Sequence, residues 1–208
     1  MVSILMKGLY LLAGYVIGSI PTGYLFMKFG KNQDIRTLGS GNIGATNVYR
    51  NAKKSMAAAV LVADAIKGII PVLIARHYLG DTMGLWIGLS VVVGHIYSIF
   101  MGFRGGKGVA TTIGVYASAY FPAVIFAAII WGAVFKATNI VSIASIAMVF
   151  LVPFFAFIFS SSGVQAFVFM FMGMIVIYAH RDNIVRLIRG EEKPIQAFDA
   201  DKQQQDQT

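Results

Sequence analysis

Four stretches of this chain, 8–27, 82–103, 108–135 and 137–179, carry no Asp, Glu, Lys or Arg. A helix crossing a bilayer core of roughly 30 Å needs about 20 such apolar residues. The runs therefore predict an all-α, polytopic membrane protein. Composition agrees: 57% of the 208 residues are apolar and 12% are charged, about half the charged share of a soluble domain. Mean hydropathy is +0.72. Lys7 precedes the first run and no small-residue cleavage site follows it, so the N-terminal segment reads as a retained helix. There is no cysteine, which excludes thiolate nucleophiles, disulfides and cysteine-bound metals. The net charge of +8 is expected to orient the chain in the membrane. No soluble part is large enough to hold a duplex, so nucleic acid is not an expected partner.

The runs and their flanks give spans near 4–27, 55–75, 84–103, 108–120, 122–137, 140–159 and 164–180. The segment 108–135 decides the topology. As one helix it would measure about 42 Å, longer than one crossing, yet two full crossings would take about 40 residues. Two short helices turning near Tyr120-Phe121-Pro122 put 14 of the 17 Lys and Arg on one side, with Lys7 and Arg76 opposite and Lys67 within a span. The positive-inside rule favours that arrangement. The expectation is seven transmembrane helices, N-terminus outside and C-terminus cytoplasmic. Loops 28–54, 101–108, 136–142 and 180–190 then share the cytoplasmic face. Residues 1–193 form a single integral-membrane domain, and 194–208, rich in Gln and Asp, form a disordered tail.

Two loops concentrate the chemistry. Gly39-Ser40-Gly41-Asn42-Ile43-Gly44 fits a dinucleotide-binding pattern by spacing, but that motif needs a preceding strand and a βαβ unit. Here a hydrophobic helix precedes it. A helix starting near Asn42 would align Thr46 and Arg50 on one face and offer its first amides to an anion. The plainer reading is a glycine-rich turn, against which stand Ser40, Asn42, Thr46, Asn47 and Arg50. The second loop, Gly102-Phe103-Arg104-Gly105-Gly106-Lys107-Gly108, lacks the hydroxyl that a nucleotide-binding P-loop needs after its lysine, so no nucleotide is implied. Its glycines can form an anion-binding nest beside Arg104 and Lys107, at the positive end of the next helix. Those cations could otherwise serve as interface anchors.

His95 sits within a span, where an ionisable group is a functional candidate or a core histidine bonded to a carbonyl. His180 is a base or phosphate donor, or a helix cap. Asp64 and Lys67, one turn apart, read as a structural pair. Ser142 and Ser145 are polar contacts between helices or face the site. Three scattered histidines make no metal site, and no cofactor is expected.

Ser40-Gly41-Asn42-Ile43-Gly44-Ala45-Thr46-Asn47, Gly94-His95-Ile96-Tyr97, Gly105-Gly106-Lys107-Gly108-Val109-Ala110-Thr111 and His180-Arg181-Asp182-Asn183-Ile184 together resemble the PlsY glycerol-3-phosphate acyltransferases of bacteria. Gly18-Ser19-Ile20-Pro21-Thr22-Gly23 and Asp64-Ala65-Ile66-Lys67-Gly68 are similar to family segments too, and the likeness runs from about residue 8 to 193. It departs at Ser98, where relatives commonly have proline. The resemblance implies seven helices in the bacterial inner membrane and an active site facing the cytoplasm. It implies acyl transfer from acyl phosphate to the 1-hydroxyl of glycerol 3-phosphate, giving 1-acylglycerol 3-phosphate and phosphate, with membrane lipids around the site. By the same resemblance Ser40, Asn42, Thr46 and Arg50 hold substrate phosphate, and Gly105, Gly106 and Lys107 form the phosphate loop. Ser145 lines the site, while His180 and Asn183 complete it. Lys107 and His180 are the expected catalytic residues, and His95 and Arg104 join the binding set. A mixed anhydride is already activated, so the site has mainly to stabilise charge and hold two reactants together. The proton goes to the acceptor's own phosphate or to His180. An anion transporter would instead put polar groups near the midplane and show matching halves. A membrane phosphatase would show an Arg-Pro or D-x-x-D-G signature, and neither occurs.

Overall fold

The computed structural model describes residues 3–160 and 162–195. The expected disordered tail falls almost wholly outside them. The described residues form ten α-helices in order: α1 Ile4–Ser19, α2 Thr22–Lys31, α3 Ala45–Asn51, α4 Lys54–Leu79, α5 Asp81–Ile96, α6 Val109–Ala119, α7 Phe121–Thr138, α8 Val141–Phe159, α9 Gly163–Ala179 and α10 Arg181–Ile188. No strand occurs among the described residues, as the unbroken apolar runs predict.

Among the described residues five segments are long and apolar enough to cross a membrane, and α9 with α10, bent by 59° at His180, makes a sixth if the pair is taken as one span. The first is α1 plus α2 rather than one helix. Proline cannot donate its backbone nitrogen, and the chain breaks at Pro21. The Ile20 carbonyl left at this break accepts a hydrogen bond from Lys67 Nζ at 2.9 Å. The expected turn in 108–135 falls at Tyr120, where φ −156° and ψ 88° interrupt the helix just before Phe121-Pro122. The α6 that results has 11 residues, about 16 Å, too short to span a ~30 Å core alone.

The helices pack in two groups. In one, α5 lies against α1 and α4, and α4 against α6. In the other, α8 lies between α7 and α9. Contacts of α5 with α9 and of α6 with α7 join the groups. Small residues permit the closest crossings, as usual between helices in lipid. A Cβ on Gly94 would fall 2.1 Å from the Tyr15 carbonyl oxygen, and one on Gly114 2.1 Å from that of Ala65. Both loops singled out in the sequence lie where these groups meet at one end of the bundle, and they line a common cavity.

Candidate active site

The first loop is built around Asn47. Its side chain is 2% exposed. Its Nδ2 donates to the carbonyls of Leu38 and Asn42, both at 2.9 Å. Its Oδ1 accepts from the Ser40 amide at 3.1 Å. One amide side chain thus shapes the turn, where Gly39 and Gly41 take positive φ. The short helix begins at Ala45, three residues later than expected. The Gly44 amide is taken by Asn42 Oδ1 at 2.8 Å, and those of Asn47 and Val48 by the Gly44 carbonyl. The amides of Ala45 and Thr46, at the start of this helix, have no intrahelical acceptor and belong to residues that line the cavity, so the loop offers an anion these amides as well as side chains. Thr46 and Arg50 stand one turn apart on one face and line the cavity with Ser40 and Asn42.

The second loop differs from the expected open nest. The Gly105 amide donates to the Ile96 carbonyl at 2.9 Å and the Gly106 amide to the His95 carbonyl at 3.0 Å. Both therefore cap the end of α5 and are not available to a ligand. Glycine is needed there for closeness: a Cβ on Gly105 would lie 1.9 Å from the His95 carbonyl oxygen, and one on Gly106 2.1 Å from His95 Nε2. Neither glycine lines the cavity. Arg104 is exposed outside it, held there because the chain turns at Gly102 and Phe103, both at positive φ. The loop delivers Lys107 and Gly108 instead, followed by Val109 and Ala110. These last two open α6, where the first amides lack an intrahelical acceptor.

The cavity has a volume of about 410 Å³. Its polar end gathers Lys107, Arg50 and Arg186. Burial pushes the Lys107 ammonium down to about 8, with neighbouring Arg50 and Arg186 adding to the shift against Glu192. Burial likewise lowers the Arg50 guanidinium. Lys107 Nζ donates to Asn183 Oδ1. Asn183 Nδ2 in turn donates to Glu192 at 2.6 Å. The same carboxylate accepts from Ser142 Oγ at 2.8 Å and Arg186 Nε at 2.6 Å. Burial alone would raise the Glu192 carboxyl, but these three donors outweigh it and hold it below its usual range. His180 Nδ1 lies 2.7 Å from the Val176 carbonyl. A carbonyl only accepts, so Nδ1 carries the proton there, and neutral His180 keeps its Nε2 lone pair available.

Deeper in, His95 faces Asp64, with Nδ1 3.4 Å from a carboxylate oxygen. Asp64 also receives Lys67 Nζ at 2.8 Å and Thr22 Oγ1 at 2.5 Å. His95 is therefore not the carbonyl-bonded core histidine. The Asp64–Lys67 pair is real, and Asp64 lines the cavity as well. Below this polar end the walls turn apolar, with Ile113, Val124, Ala127 and Met148. Trp131 marks the boundary, donating to Ser145 Oγ at 3.2 Å.

Nine of the expected residues thus meet in one cavity: Ser40, Asn42, Thr46, Arg50 and His95, with Lys107, Ser145, His180 and Asn183. Arg104, Gly105 and Gly106 do not. Sequence reasoning passed over Arg186, Glu192 and Trp131. A signal for Glu192 was its rarity, one of nine acidic residues, set among basic ones. No group of three or more His, Asp or Glu among the described residues could hold a metal. The arrangement suits an amphiphile: an anionic head among cations, and a hydrocarbon tail between apolar helices.

A family model for glycerol-3-phosphate acyltransferase matches residues 8–190. The glycerol-3-phosphate acyltransferase of Mesorhizobium japonicum is 42% identical over 91% of this chain and 96% of that relative. The one from Bradyrhizobium diazoefficiens is 38% identical over 89% and 93%. Among solved structures, PlsY, described as an integral membrane glycerol 3-phosphate acyltransferase, matches in its glycerol 3-phosphate form. The TM-score is 0.86 and the identity 36%, over 91% of this chain and 95% of that one. Its lysophosphatidic acid form matches with a TM-score of 0.84.

Proposed function

We propose, for a chain that belongs to the PlsY glycerol-3-phosphate acyltransferase family and is therefore an acyltransferase, that its donor is an acyl phosphate and its acceptor the 1-hydroxyl of glycerol 3-phosphate. The hydroxyl oxygen attacks the acyl carbonyl carbon. A new ester C–O bond forms, the C–O bond to phosphate breaks, and inorganic phosphate leaves with the bonding pair. The products are 1-acylglycerol 3-phosphate and phosphate, the opening step of phospholipid synthesis.

One observation carries this reading: three cations, Lys107, Arg50 and Arg186, stand at the polar end of a cavity whose other end is apolar. Both reactants bear phosphate, and only the donor bears a long tail. Fixed cations in a water-poor site stabilise the charge that builds on the departing phosphate, often the largest catalytic contribution. Ser40, Asn42 and Thr46 supply short polar side chains to orient the acceptor. The proton leaves the hydroxyl for the acceptor's own phosphate or for His180 Nε2, whose lone pair the Val176 contact keeps available.

The reading includes seven crossings of the bacterial inner membrane, with the short α6 counted as one. The N-terminus lies outside and the cavity opens to the cytoplasm. The charge distribution supports this orientation.

The test uses purified protein in lipid nanodiscs with labelled glycerol 3-phosphate. Palmitoyl phosphate is expected to give labelled lysophosphatidate and equimolar phosphate, whereas palmitoyl thioesters give none. Product from a thioester alone would overturn the donor assignment. Wild-type rates in His180→Ala would leave the acceptor's own phosphate as the base.

A further inference from the structure

Helix α10 has two faces, and the cavity uses one of them. Asn183, 4% exposed, and Arg186 line the cavity, and both donate to Glu192. On the opposite face Arg181, Val185 and Ile188 recur at i, i+4 and i+7, one stripe of a helix, with Arg189 beside them. All four are exposed, Val185 by 45% and Ile188 by 82%. Two apolar side chains set between arginines suit the boundary of a bilayer, where the carbon groups dip in and the cations stay among headgroups.

The geometry puts the stripe at that boundary. α9 is an apolar helix of membrane-crossing character, and α10 leaves it at 59°, which turns α10 towards the membrane surface. Tyr178, in the last turn of α9, is 59% exposed and lies under the Arg181 guanidinium, 5.2 Å from it. A tyrosine at the end of a span marks headgroup level. Charge then selects the lipid. The exposed cations Arg181, Arg189 and Lys193 outnumber the exposed acids Asp182 and Glu191, and Asp182 stands 4.0 Å from Arg181. Cations at this level favour anionic headgroups.

Both ends of α10 are tied to the bundle. It begins at His180, which lines the cavity. Past Ile188 the chain turns at Gly190, φ +70°, and comes back so that the Ile195 amide donates to the Asn139 carbonyl at 3.0 Å. A helix of eight residues held in this way moves as one piece, so displacing its outer face displaces Asn183 and Arg186.

We propose that the outer face of α10 binds anionic lipid headgroups, and that this contact holds Asn183 and Arg186 in place at the polar end of the cavity. The second half rests on the acyl-transfer reading above. The enzyme then grips its acceptor best in a membrane that already carries anionic lipid.

The chain has no cysteine, so Ile188→Cys offers a single site for an environment-sensitive NBD label. Labelled protein is placed in nanodiscs of phosphatidylcholine, with or without phosphatidylglycerol, and probed with nitroxide-bearing lipid and with aqueous iodide. The lipid quencher is expected to reach the label, more strongly with phosphatidylglycerol present. Adding Arg181→Gln and Arg189→Gln should abolish that gain, since each cation near an anionic surface contributes about fivefold in affinity. Val185→Cys repeats the measurement should labelled Ile188→Cys not accumulate. Unlabelled Arg181→Gln/Arg189→Gln should raise KM for glycerol 3-phosphate roughly fivefold in the anionic discs. In phosphatidylcholine alone the change should stay within about twofold, as for a surface substitution. A label reached by iodide and not by lipid, or shielded from both by another protein surface, would overturn the lipid contact. So would a phosphatidylglycerol gain that survives loss of both arginines. Equal KM in wild type and double variant in anionic discs would overturn the coupling to the site. The quenching needs no substrate, so it stands or falls apart from the acyl-phosphate assignment.

Discussion

Two carboxylates line the same cavity and are tied down in opposite ways. Asp64 meets Thr22, Lys67 and His95, so α2, α4 and α5 converge on it inside the bundle. Glu192 meets Ser142, Asn183 and Arg186, joining α8 and α10 to the segment that follows them. Their exposures are similar, 3% for the Asp64 side chain and 6% for that of Glu192. Their partners are not. Lys67 is 7% exposed and spends a donor on the Ile20 carbonyl at the proline break, so its charge has no other outlet. Arg186 is 35% exposed and reaches water. The first cluster holds helices together, and the second holds side chains at the polar end of the cavity. Buried charge does two jobs here, and position along the bundle decides which.

The largest expected effect breaks the inner cluster. Asp64→Ala leaves the Lys67 charge buried and uncompensated, at a cost of about 3–5 kcal/mol. Thermal unfolding in detergent measures it, and the Asp64→Ala/Lys67→Met double variant should recover most of the loss. A single variant as stable as wild type would erase the contrast between the clusters. Next comes Lys107→Ala, expected to lower the transfer rate on the order of 10²- to 10³-fold without moving the unfolding midpoint. Initial rates beside a melting curve check both halves of that statement.

Glu192→Ala removes an acceptor from three donors. A hydrogen bond to a charged group contributes about 1.5–3 kcal/mol, so the variant should lose stability by that order. Its KM for glycerol 3-phosphate should rise as well, as Asn183 and Arg186 lose their hold. A stability loss matching Asp64→Ala with an unchanged KM in the surviving fraction would make the outer cluster merely structural.

A smaller effect comes from pH. Burial lowers Lys107 to about 8, so raising the pH through that value removes the proton from the free enzyme. The neutral amine grips an anion less well, and KM for glycerol 3-phosphate should climb above about pH 8, by roughly tenfold per pH unit once titration is complete. A bound phosphate favours the charged amine and shifts its midpoint upward. A pH profile flat to the lysine's ordinary range would contradict this. The smallest effect is Arg104→Ala. This side chain is exposed outside the cavity, and its loss should change rates by no more than about twofold.

What the sequence made legible follows the same division. The apolar helices were readable because uncharged runs have only a few ways to meet lipid, and the break at Tyr120 was readable from length and charge balance together. Lys107, Arg50, Asn183 and His180 were legible because polar groups at the ends of apolar runs are conspicuous. The glycine loop misled, because spacing does not say which acceptor an amide will meet. The Gly105 and Gly106 amides found the carbonyls at the end of α5. Arg104 misled for a related reason, since a positive φ at Gly102 and Phe103 turns its side chain away. Glu192 was hidden because its role depends on Ser142, 50 residues distant, and no local pattern encodes that meeting. Asp64 was read as half of a pair, and only the packing of α5 against α4 shows that His95 and the cavity share it.

Binding of glycerol 3-phosphate to protein already loaded with an unreactive acyl phosphonate tests most directly whether two phosphate-bearing molecules share this cavity. Titration calorimetry in nanodiscs should show the acceptor still binding to the loaded wild type. In Lys107→Met its affinity should fall by on the order of tenfold, as expected when one charged hydrogen bond is lost. Exclusion of the acceptor by the phosphonate, or equal affinity in wild type and Lys107→Met, would contradict the account.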